Sequence, residues 1–79
     1  MDYDLKAGVY QHYKGNYYLV LGIARHDVTE EKLVVYVALY TAKPGPRMSA
    51  RPINVFFENI ELDGKSVPRF RYIGQEIPQ

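Results

Sequence analysis

Residues 8–13 (Gly-Val-Tyr-Gln-His-Tyr) mix aromatic and β-branched types in alternating character, and residues 17–24 (Tyr-Tyr-Leu-Val-Leu-Gly-Ile-Ala) do so again after Lys14-Gly15-Asn16. Gly and Asn accept the positive φ that a tight turn needs, so the pattern predicts a β-hairpin. Gly22 inside the second strand predicts a bulge or sharp bend. Leu33 to Tyr40 is a near-continuous apolar run rich in valine, and its length and β-branching favour a central strand over a helix. Periodicity leaves its core face open. Leu33, Val35, Val37 and Leu39 lie on one side, and Val34, Tyr36, Ala38 and Tyr40 on the other.

Between these runs, Arg25 to Lys32 is polar and reads as a connecting loop with room for one helical turn. Lys43-Pro44-Gly45-Pro46 interrupts any regular ladder. Arg51-Pro52 follows, and Ile53 to Phe57 is compatible with a short strand or a tight helical turn. Asn59–Leu62 and Lys65–Val67 flank Asp63-Gly64, a second hairpin signal. Pro68 belongs at an edge or a strand start, because it has no N–H to donate. Phe70 to Ile73 supply a last strand, and the tail after Gly74 is expected to fray. The sum is an all-β domain: a small SH3-like barrel of five to six short antiparallel strands with one short helical turn at most. An OB-like barrel normally runs longer.

A chain of 79 residues fills one domain, 1–79, with an ordered core over about 6–73. So short a chain buries roughly 60–65% of the surface its unfolded form exposes. Eight tyrosines and three phenylalanines answer that shortage of core. Cysteine is absent, which excludes disulfides, thiolate metal sites and a cysteine nucleophile and favours a reducing, cytoplasmic setting. The acidic start Met1-Asp2-Tyr3-Asp4 is not that of a signal peptide. The longest apolar run falls far short of the ~20 residues that span a bilayer, so no membrane partner is expected. Net charge is only +1, yet the stretch between Lys32 and Phe57 holds no acid while carrying Lys32, Lys43, Arg47 and Arg51. This makes a modest basic face, short of a nucleic-acid binder's usual excess.

The segment Gly8 to His26 resembles the opening of a bacterial family known as domain of unknown function 1653. Val34-Val35-Tyr36 with Leu39-Tyr40, Arg51-Pro52 with Phe56 and Glu58, and Gly64 with Pro68-Arg69-Phe70 resemble it in the same order. The likeness runs from about Lys6 to Ile73 and implies relatives without implying an activity. Two positions depart from the family pattern. Ser49 stands where the family usually has tryptophan, two places before the arginine of the Arg-Pro pair, and Val28 stands where a glutamate usually follows the loop histidine.

Among residues able to carry chemistry, His12 and His26 are the only histidines. If they converge with Glu58 they form a two-histidine, one-carboxylate set, as metal or acid–base chemistry needs. The alternative is that each braces a loop through a backbone hydrogen bond. Neither Ser49 nor Ser66 stands in a nucleophile elbow, and no glycine pair has phosphate-loop spacing. Paired-carboxylate hydrolysis by Glu58 with Glu61 or Asp63 would sit on a hairpin too small to enclose a sugar. No cofactor or metal is therefore expected.

The arginines carry the sharper reading. Arg25, Arg51 and Arg69 each adjoin a chain break or an aromatic, and guanidinium groups both fork onto anions and stack on rings. With Tyr10, Tyr13 and Tyr36 they suggest an aromatic-basic groove for single-stranded nucleic acid, a nucleotide, another anionic small molecule or an acidic peptide. Against it stands an internal role, in which Arg51 or Arg69 pairs with Glu58 and pins a loop. The expected function is a non-enzymatic binding module whose ligand set is Tyr10, His12, Tyr13, Arg25, His26, Arg51, Glu58 and Arg69. The alternatives are a small enzyme or enzyme subunit using His12 or His26 with Glu58, and a structural adaptor working through a protein partner.

Overall fold

The structure, a computed structural model, describes residues 5–40 and 44–78. The acidic start at 1–4, Lys43 of the proline-rich break and the last residue lie outside the described residues. The elements run β1 (Gly8–His12), β2 (Tyr17–Arg25), β3 (Lys32–Ala38), β4 (Met48–Pro52), α1 (Ile53–Phe56), β5 (Asn59–Leu62), β6 (Lys65–Pro68) and β7 (Phe70–Gly74). Five strands form an antiparallel sheet in the order β4-β3-β2-β1-β7, and β5-β6 form a separate two-stranded sheet. The domain is all-β with a single helical turn, as its patterning predicts. Among the described residues the ladders leave β4 and β7 as sheet edges, so the pairing draws no closed barrel.

The local signals explain most of these elements. Around the first turn, the His12 N–H donates to Asn16 O at 2.8 Å and the Gly15 N–H to His12 O at 2.8 Å, with Gly15 at φ 110. Asp63 and Gly64 both take positive φ, 53 and 78, as a two-residue hairpin turn with the strands' own twist requires. The β2–β3 register shifts between Val20 and Gly22, which places the expected bulge at Leu21. Ile53–Phe56 resolves as helix, and its two buried residues, Ile53 and Phe56, have the i, i+3 spacing that puts both on one face.

Strand β4 has no counterpart in the sequence reading. Met48-Ser49-Ala50-Arg51-Pro52 lacks an apolar alternation, and it becomes a strand because the edge of β3 offers unpaired backbone groups. This raises the strand number above five or six. The expected fraying after Gly74 is also corrected at its first residue. The Gln75 side-chain amide donates to Ala7 O at 2.9 Å and to the Tyr72 hydroxyl at 3.0 Å.

Register settles which side of the sheet is core. Tyr10 pairs with Tyr18, Val20 with Tyr36, Val34 with Arg51 and His12 with Phe70, so all eight share the inner face. Tyr10, Val20, Val34, Tyr36 and Phe70 are buried there beneath Ile53 and Phe56. Phe56 lies flat on Phe70 with centroids 4.3 Å apart and meets Tyr10 edge-on at 5.4 Å. No helix of the described residues is long and apolar enough to cross a membrane.

Candidate functional site

The inner face is sealed by α1 over its middle and continues past it toward the Lys14-Gly15 turn. There β1 supplies His12, β2 Tyr18, β4 Arg51 and β7 Phe70, each by strand alternation. His12 lies 4.9 Å from Phe70 and 6.2 Å from Tyr18, centroid to centroid, and Tyr13 leans over it at 4.4 Å. Tyr18 is edge-on to Phe70 at 5.4 Å, to Tyr36 at 5.5 Å and to Tyr40 at 5.5 Å. The Tyr18 and Tyr40 hydroxyls share a hydrogen bond of 2.7 Å.

Three cations converge on this cluster. The half-buried Arg51 guanidinium stands over the Phe70 ring, 5.4 Å from its centre. Burial lowers the His12 pKa below its ordinary 6.5, and the positive charges of Arg51, Lys14 and Arg69 lower it further. The Lys14 backbone N–H donates to His12 Nδ1 at 3.2 Å, so the neutral ring carries its proton on Nε2, where it is a donor. Burial pushes the Tyr18 hydroxyl up, reinforced by its hydrogen bond to Tyr40 and the nearby phenols, and Arg51 opposes this only in part. Tyr18 is therefore a neutral donor at physiological pH rather than a base.

Arg69 joins the site differently. Its Nη2 donates to Glu58 Oε1 at 2.9 Å, while backbone bonds from Arg69 N to Glu58 O and from Tyr13 N to Arg69 O, both 3.0 Å, fix its place. Its Nε is buried with no partner. The internal pairing expected of Glu58 thus falls to Arg69, and it closes the base of the β5–β6 hairpin. Arg51 has no carboxylate partner among the described residues.

Of the residues expected to form a groove, the structure gathers His12, Tyr13, Arg51, Arg69 and Glu58. Tyr10 is corrected to core: it is 3% exposed, with its hydroxyl donating to Lys6 O at 2.8 Å. Arg25 and His26 lie at or just beyond the far end of β2, about 20 Å along the strand from Tyr18. His26 braces its loop, its Nδ1 accepting the Val28 and Thr29 N–H groups at 3.2 Å each. The two histidines therefore do not converge with Glu58, because the hairpin carries them to opposite ends of the sheet. Among the described residues no cluster of three or more His, Asp or Glu is placed to hold a metal ion.

Sequence reasoning missed Lys14, Tyr18, Tyr40 and Phe70. Cross-strand pairing offered a signal for one of them, since a hairpin centred on Gly15 puts Tyr18 beside the His12 end of β1. Nothing in the sequence linked Phe70 or Tyr40 to that end.

No curated protein matches the chain. Residues 8–72 match the model of a family described as protein of unknown function, DUF1653. The fold is similar to the crystal structure of a DUF1653 protein from Bordetella bronchiseptica, 45% identical, with 96% of each chain covered and a TM-score of 0.89. With family and fold shared along nearly its whole length, the chain belongs to the DUF1653 family.

Proposed function

We propose that the chain is a small non-enzymatic binding module, and that the aromatic-basic end of its inner face takes a nucleotide unit, free or within a short single strand. The observation that carries this reading is the guanidinium of half-buried Arg51, held over Phe70 without a carboxylate partner among the described residues. A guanidinium fork already held in place without a counter-ion binds two oxygens of a phosphate with little reorganisation. The His12 Nε2 proton adds a donor at the same end of the inner face. The exposed Tyr40 offers an aromatic surface on which a base stacks. Glu58 tempers the site by neutralising Arg69, which fits a ligand of low charge better than a long polyanion. The cysteine-free composition suits a cytoplasmic setting for such a module.

The test is an amide and side-chain NMR titration with uridine monophosphate, inorganic phosphate and a short oligo-uridine at low salt. Shifts at Arg51 Nε, His12 and Tyr18 that are larger for the nucleotides than for phosphate support the reading. Their absence at millimolar ligand overturns it. For the oligomer, log affinity falls against log salt with a slope of about −0.7 per phosphate contacted.

A further inference from the structure

A cavity of about 300 Å³ opens beside this site, between the β5–β6 hairpin and the neighbouring β1–β7 edge. Leu62, Val67 and Pro68 of the hairpin supply its apolar lining, and His12 and Tyr13 line it from the end of β1. Arg71 and Gln11 complete the lining, and the Arg71 Nη2 donates to Gln11 Oε1 at 3.0 Å. Gln11 and Arg71 are cross-strand partners, so their side chains share the outer sheet face, opposite the face that carries Arg51.

We infer that this cavity is a second binding site, for a small aromatic carboxylate, and this inference does not depend on the nucleotide reading. Among the described residues no Asp or Glu lines the cavity, and the exposed Arg71 guanidinium pairs with a neutral amide and with no carboxylate. An anion is therefore favoured, and the single charge selects a monoanion. The apolar wall selects the body that carries it, because Leu62 at 45% exposure regains burial only under an apolar ligand. The volume equals about ten waters of liquid, enough for one ring and a carboxylate. The Glu58–Arg69 pair closes the base of the hairpin, and the Tyr13 N–H bond to Arg69 O ties that base to the end of β1.

The test is a titration of the whole chain with phenylacetate and, separately, with its neutral analogue phenylacetamide, read at the Val67 and Leu62 methyls and at the Gln11 amide. Phenylacetate is expected to shift all three, with phenylacetamide binding at least tenfold more weakly and Arg71→Gln abolishing the difference. Arg51→Gln is expected to leave phenylacetate binding unchanged, which separates this site from the nucleotide site. Equal binding of acid and amide, no shift at the methyls at ten millimolar, or loss of binding in Arg51→Gln would each overturn the inference.

Discussion

Arg51 on β4 and Phe70 on β7 belong to opposite edges of the five-stranded sheet, yet the guanidinium carbon of one lies 5.4 Å from the ring centre of the other. The sheet must curve enough to bring its edges toward each other, and the aromatic packing of Tyr18, Tyr36 and Phe56 around Phe70 fills the space between. The curvature makes Arg51 a neighbour of His12 and Tyr18 without pairing it to either.

Replacing Arg51 separates charge from shape. Arg51→Lys keeps the charge but loses the planar fork, and Arg51→Gln loses both. Arg51→Gln is expected to cost stability by about 0.5–2 kcal/mol, the range for a cation over a ring, and Arg51→Lys less. Nucleotide binding should weaken in Arg51→Lys and vanish in Arg51→Gln. Chemical denaturation alongside the NMR titration checks both, and a lysine variant that binds as well as the parent contradicts the fork's role.

His12 gives the domain a pH response of known sign. Its folded pKa lies below the unfolded value of 6.5, so above pH 6.5 both states are neutral and its contribution is fully present. As pH falls below 6.5 the unfolded chain takes up the proton first, and stability declines until the folded pKa is passed. Asparagine at position 12 preserves an acceptor for the Lys14 N–H and cannot titrate. The difference in melting temperature between parent and His12→Asn is expected to shrink as pH falls from 7 to 5. A difference that stays constant over that window rules out the lowered pKa.

Ser49 lies opposite Tyr36 on β4, on the same face as Arg51, and is exposed. This is where the family pattern described above usually places tryptophan. Ser49→Trp is expected to lay an indole against Tyr36 and the Arg51 stem and to stabilise the domain by about 0.5–1.5 kcal/mol. In a chain this size that raises the melting temperature by about 2–12 °C. A blue-shifted indole emission accompanies the gain if the ring packs. Solvent-like emission with no change in melting temperature shows that the position does not support it.

Gly8 tests the opposite edge. It is buried at φ 140, and a Cβ there would stand 2.8 Å from both Gly74 O and Gln75 Nε2 and 3.1 Å from the Tyr72 ring. Gly8→Ala combines backbone strain with a clash against backbone, so it is expected to destabilise by more than about 1 kcal/mol. An unchanged denaturation midpoint would mean that the β1–β7 edge yields freely.

The sequence disclosed the parts of this fold that local chemistry decides. Lys14-Gly15-Asn16 and Asp63-Gly64 announce their turns, Gly22 its bulge, and the valine-rich run the central strand. It concealed what only the assembled sheet decides. Met48–Pro52 is a strand by virtue of the β3 edge beside it. The core face of β3 follows from register with β2. Tyr10 and Tyr13 look alike in sequence, yet one is core and the other leans over His12. The candidate site was legible only in its charged members, because arginines beside aromatics stand out, whereas the wall of Tyr18, Tyr40 and Phe70 is drawn from three separate elements. Arg25 and His26 share the family-like segment of His12, but the length of β2 separates them from it.

The Gln75 bond to Ala7 has a practical consequence. Ala7 and Gln75 meet beside the β1–β7 pair, so residues 7 and 75 stand next to each other. A host protein can therefore carry this fold as an insert in a surface loop, held by two short connectors, without stretching either across the sheet.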